Sequence, residues 1–200
     1  MIAVDVESTG TEAHVHSILS VGAIDLSNLT RPFFYEECRA WDGAKVEDEA
    51  LAVNGATLAE VHDLKRQTEG ELVHKFITWA VSASDRTFAG QNVSFDRDFL
   101  RYAAKRAGHT DWPFAHRTID SHTLAWMHMV KRGLIPPIDA EKKRSALDLD
   151  AILVYCGIPE EPTPHNALTG AKSHAEVISR LLYDKKLLPE FEQYAIPWLS

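Results

Sequence analysis

Three apolar, strand-like segments crowd into the first forty residues, and the rest of the chain reads as helices broken by short apolar stretches. The first segment, Ile2 to Glu7, is apolar at the start and then alternates. The second, Ile18 to Ser27, reads ILSVGAIDLS, and the third is Pro32 to Ala40. Alternation with a period of two marks a strand with one buried face. Segments this close together, joined by polar turns, predict an antiparallel meander. Gly70 to Ala83 then predicts a helix, followed by a short strand at Thr87 to Gly90. Phe95 to Ala107 predicts a helix that Gly108 stops. After another short strand, Asp120 stands as the N-cap of a helix with Lys131 and Arg132 in its last turn and Gly133 beyond. Pro136 and Pro137 mark a loop through the basic EKKR run, Ser145 is the expected cap of a helix that Gly157 ends, and Asn166 to Leu182 is the final helix. Strands first, then helix–strand–helix alternation, predict an α/β fold with a mixed sheet and helices packed on it.

A chain of 200 residues, 45% hydrophobic and 25% charged, suits one soluble domain spanning 1–200 with a sizeable core. No apolar run is long enough for a membrane span, and the N-terminus lacks the basic flank and apolar core of a signal peptide. With only Cys38 and Cys156 and no export signal, a reducing cytoplasm is the expected location. A net charge of −8 argues against a protein that coats nucleic acid through a broad basic surface, but leaves room for a small local site. Lys105, Arg106, Lys131, Arg132 and the run Lys142 to Arg144 either guide a strand toward such a site or are solvated.

Asp5 and Glu7 stand two apart on the first strand, so they share a face and repel when ionised. Such a pair is either a solvated strand face or a seat for hard cations, since Mg2+ and Mn2+ prefer carboxylate oxygens. Asp96 opens a helix, where it either favours the positive helix end or joins a site. His165, in a loop, is either polar surface or a general base.

Taken together and in order, these residues carry a resemblance. Asp5, Glu7, Ser8, Thr9 and Gly10 match D-x-E-S/T-T-G; Asn92, Phe95, Asp96 and Phe99 match N-x-x-F-D-x-x-F; His165 to Leu168 match H-N-A-L. The chain resembles the DEDDh 3′–5′ exonucleases, the superfamily of polymerase proofreading subunits and ribonuclease T. The resemblance implies a ribonuclease H-like fold and hydrolysis with two divalent ions, Mg2+ or Mn2+, held by Asp5, Glu7 and Asp96. It further implies His165 as general base, Ser8, Thr9 and Asn92 beside the substrate, and the 3′ end of a single-stranded nucleic acid as partner. The family's H-x-x-x-x-D pattern calls for an acid at 170, where this chain has Gly170. Either three acids suffice, or a neighbour substitutes, or the protein is a weakened relative that binds nucleic-acid ends or a polymerase-type partner. One turn on from 170, His174 is the candidate compensating ligand; Glu176 is rotated by about 120° and ranks lower.

Overall fold

The strands Ile2–Ser8 (β1), Ile18–Asp25 (β2) and Phe34–Glu37 (β3) pair antiparallel in sequence order, as the meander pattern predicts. A computed structural model describes residues 1–199. After β3 come Asp48–Asn54 (α1), Leu58–Val61 (α2), Glu69–Ala80 (α3), Phe88–Gly90 (β4), Ser94–Arg106 (α4), Thr118–Asp120 (β5) and Ser121–Lys131 (α5). Ile138–Asp139 (β6), Arg144–Ser145 (β7), Leu149–Tyr155 (α6) and Ala167–Tyr183 (α7) complete the chain, with short 3-10 turns at Pro189–Phe191 and Pro197–Leu199. The main sheet runs β3-β2-β1-β4-β5. On the far side of β1 the pairing turns parallel, β1 with β4 and β4 with β5, because a helix carries the chain back between each pair. This is the mixed, helix-flanked sheet of the ribonuclease H-like fold.

Period-two alternation on β1 assigns the two layers. Ile2, Val4 and Val6 pack with Phe76, Phe88, Phe99 and Leu100 in a cluster shared with α3 and α4. Ala3 faces the other way and packs with Ala171 and Ala175 of α7. Asp5 and Glu7 therefore project on the α7 side. Helix α7 lies close on the sheet because its facing residues are small: a Cβ on Gly22 would collide with the backbone of Ala167. Asn166 starts α7 by accepting hydrogen bonds from the N–H groups of Leu168 and Thr169, at 3.0 and 3.3 Å. Beside α7, the helices α5 and α6 close a further cluster around Ile152, Leu153, Val177 and Ile178.

Several local expectations change. The third strand is shorter than Pro32 to Ala40, because after Cys38, whose N–H still donates to Leu19 of β2, the backbone turns to other partners: Arg39 donates to the Gln67 carbonyl and Ala40 to that of Val61. Ser145 does not cap α6. It lies in β7, where its Oγ sits 2.8 Å from His122 Nε2, and Asp148 caps α6 instead by accepting from the Ala151 N–H at 2.9 Å. The EKKR loop is the turn of a two-stranded β6–β7 hairpin. Glu176 is wholly buried and belongs to the framework: its Oε1 lies 2.7 Å from Arg180 Nε, and its Oε2 accepts the N–H groups of Leu187 and Leu188. Among the described residues no helix is long and apolar enough to cross a membrane.

Candidate active site

The C-terminal half of β1, Gln91 just past β4, the start of α6 and the approach to α7 border one cavity. Asp5, Glu7, His165 and His174 line this space of about 330 Å³ together with Gln91, Asp148, Asp150 and Glu161. Glu7 and His165 also line a neighbouring chamber with Tyr35, Asn54 and Asn166. Gln91 and Asp148 also line a polar groove with Asn92, His122, Lys142 and Arg144. The three spaces thus share walls, with the acidic cavity in the middle.

Burial sets the electrostatics. Asp96 sits behind the cavity at 3% exposure, and its carboxyl is raised well above the ordinary carboxylate range. Loss of hydration is the main cause, and the charges of Glu7 and Asp120 add to it. Asp5 is raised well up in the same way, by burial first and then by the charges of Asp96, Glu7 and Glu161. Burial lifts Glu7 to about 7. Glu161 is also pushed to about 7, by burial and then by Glu7 and Asp150. A cluster whose members all resist ionisation favours whatever brings positive charge into it.

Gly170 bears directly on Asp5. A Cβ at 170 would lie 2.7 Å from Asp5 Cγ, so the Asp5 carboxylate occupies the space that a side chain on α7 would take. His174 lies one turn on, as the helical spacing predicts, and is 2% exposed. Its Nδ1 lies 3.0 Å from the Val4 carbonyl oxygen, which can only accept, so Nδ1 carries the hydrogen and Nε2 is the bare nitrogen. Burial lowers its pKa to about 4, so the ring is neutral.

The remaining sequence-predicted residues separate. Asn92 is exposed at the β4–α4 turn with φ 49 and lines the polar groove. Ser8 and Thr9 turn inward: Ser8 Oγ donates to the Gly10 carbonyl at 2.7 Å and Thr9 Oγ1 to that of Lys45 at 2.6 Å. Neither of these two lines the central cavity, so they brace the end of β1 rather than present hydroxyls to it. Sequence reasoning missed Glu161. Its only signal was a pair of acids in the PEEPTPH stretch, which is ordinary composition for a surface loop.

A hard divalent cation suits this donor set, because the lining is rich in carboxylates and one carboxylate oxygen, Glu161 Oε1, is buried without a hydrogen-bond partner. The groups do not stand as a finished cage: among the described residues no three His, Cys, Asp or Glu side chains are gathered tightly enough to hold an ion as they are.

Comparisons with known proteins give the family and the fold. A family described as exonuclease, of the RNase T type, matches residues 2–178. Ribonuclease T of Klebsiella pneumoniae subsp. pneumoniae is 28% identical over 168 residues, covering 73% of this chain and 77% of that protein. Among solved structures, E. coli exonuclease I in complex with a dA16 oligonucleotide superposes with a TM-score of 0.68 at 16% identity, over 92% of this chain and 40% of that one. The zinc-bound form of the E. coli exonuclease I–single-stranded DNA complex gives 0.69 at 15%, over 92% and 41%. This chain therefore spans about two fifths of the exonuclease I chains whose fold it shares. With a family match along nearly its whole length, on this sheet and around this acidic cavity, the chain belongs to the RNase T exonuclease family.

Proposed function

We propose that this chain is a 3′–5′ exonuclease that hydrolyses the terminal phosphodiester bond of single-stranded DNA or RNA with the help of Mg2+ or Mn2+. The observation that carries the reading is that Asp5, Glu7 and His165 line one cavity, which shares wall residues with a neighbouring chamber and with a polar groove. Ribonuclease T and the DNA-bound exonuclease I structures support both the reaction and the single-stranded substrate. The zinc-bound relative supports a divalent ion.

Asp5, Glu7 and Asp96 would hold the ions, two of them on the family pattern. When bound, these would offset the charge of the scissile phosphate and ease ionisation of a water. His165 takes the proton from that attacking water, the general-base task that a histidine side chain most often performs. The water oxygen bonds to phosphorus, the 3′ oxygen of the shortened strand leaves, and a nucleoside 5′-monophosphate is released. Lys142 and Arg144 face the groove with Asn92, and their charges suit the phosphates of the strand that trails away. Ser8 and Thr9 act by fixing the backbone at the end of β1. The binding-only alternative, with a polymerase-type partner, rested on the missing acid at 170; a loop carboxylate in the same cavity weakens that ground.

The test is incubation of 5′-labelled single-stranded DNA and RNA with Mg2+ or Mn2+, read as a product ladder. Wild type shortens at least one of them. Asp96→Asn and His165→Ala each lower the rate, the latter by about 10²–10⁴-fold as expected for loss of a general base. Absence of shortening by wild type in both metals, beside an active control nuclease, sinks the proposal.

A further inference from the structure

Among the described residues only two buried side-chain N or O atoms lack a hydrogen-bond partner, Gln67 Oε1 and Glu161 Oε1. The first belongs to an amide whose nitrogen is well used, donating to Glu36 Oε2 and to the Glu37 carbonyl, each at 2.6 Å. The second has no such account. An acidic oxygen withdrawn from water with nothing to bond is costly, and native structures keep such atoms where something else will meet them.

The loop holds Glu161 in this position. Its N–H donates to Asp150 Oδ1 at 3.0 Å, which ties the segment to the first turn of α6. Glu161 thereby stands in the wall of the cavity that Asp5, Glu7 and His165 also line. The neighbouring acids are otherwise engaged: Asp150 accepts that N–H, and Asp148 caps α6. On the opposite wall α7 offers no acid, since the Asp5 carboxylate lies against Gly170. His174 is a poorer candidate, because imidazole matches a hard cation less well than carboxylate and its ring is committed to Val4.

We propose that Glu161 is an oxygen ligand of a divalent ion in this cavity, supplying from the loop before α7 the acid that α7 lacks at position 170. This rests on the exonuclease reading above. It makes the loop from Pro159 to His165 a two-ended device, with an ion ligand at Glu161 and the base at His165.

Mn2+ binding, measured by titration calorimetry on the intact chain, separates the outcomes. Glu161→Gln is expected to weaken Mn2+ binding by at least the roughly 10–100-fold that loss of an outer-shell partner costs. Glu160→Gln, which makes the same charge change at the exposed neighbour, leaves it unaltered. In EDTA, Glu161→Gln melts no lower than wild type, because an amide of the same shape replaces an unpartnered carboxylate, so weakened binding is not a folding defect. If Glu161→Gln binds Mn2+ as wild type does while Asp96→Asn does not, this inference is overturned and the exonuclease site stands. If wild type binds no Mn2+, or Asp96→Asn binds as well as wild type, the site itself is wrong and this inference goes with it. Glu161→Asp keeps the charge one methylene shorter and is expected to recover part of the lost affinity.

Discussion

Position 170 shows how much one residue decides. Glycine inside a helix costs about 1 kcal/mol relative to alanine, so by propensity alone it is a defect of α7. The structure gives it a role: any Cβ there would press on the Asp5 carboxylate, 2.7 Å from Cγ. Gly170→Asp should therefore not restore an ordinary fourth acid. Asp5 would have to rotate away, leaving two carboxylates side by side. The expected outcome is a loss of about 1–3 kcal/mol of stability in EDTA, the usual cost of overpacking, with no gain in kcat/KM. Urea denaturation and the product-ladder assay check the two halves. A large gain in activity would mean that the cavity lacks an acid and that Glu161 does not supply it. At this scale the shared face of Asp5 and Glu7 was legible, because strand periodicity is local. That Asp5 would lean on a helix 165 residues downstream was not.

Among the elements, α7 carries most of the organisation. Its N-terminus presents His165 ahead of the Asn166 cap, its first turns press on β1 and β2, and its second half holds a buried ion pair. Arg180 is 0% exposed and, besides Glu176, donates to the carbonyls of Cys156, Ala195 and Phe191. One guanidinium thus ties α7 to the end of α6 and to the C-terminal segment. Arg180→Met would strand the buried Glu176 carboxylate and is expected to cost about 3–5 kcal/mol. Chemical denaturation reads this; a change under 1 kcal/mol would show that the network is not what joins these elements. The bounds of α7 were close to legible because its small and apolar residues recur with helical spacing. The α6 cap was misplaced by three residues, since Ser145 and Asp148 are both good capping types and only the β6–β7 hairpin decides between them. The hairpin itself has two-residue strands, too short to leave a periodic signature.

For the whole molecule, the acidic cavity makes stability depend on pH and on cations. Glu7 and Glu161 are lifted to about 7, and Asp5 and Asp96 are raised well above the ordinary range, all chiefly by burial. Each group binds its proton more tightly in the folded chain than in the unfolded one. Their stabilising contribution is therefore complete below the ordinary carboxylate range, and it is lost as pH rises through about 7. In EDTA the melting temperature is expected to fall between pH 6 and pH 8, and excess Mg2+ should largely remove that fall by binding the ionised cluster. Calorimetric scans at both pH values, with and without Mg2+, test this. A melting temperature that rises toward pH 8 in EDTA would contradict the buried-acid account, and Asp96→Asn should flatten the slope.

By itself the sequence determined the order and type of the main elements, the common face of Asp5 and Glu7, and the family to which these motifs belong. Each rests on spacing along a few neighbouring residues, where strand and helix geometry leave little choice. Only the tertiary structure decided which acids meet. It withdrew Glu176 into an ion pair with Arg180, engaged Asp148 and Asp150 at α6, and turned Glu161 inward. Convergence in space comes from how α7 and its preceding loop lie against β1, and burial, which raises the carboxyl pKa values of Asp5, Glu7 and Glu161, exists only once those layers have closed.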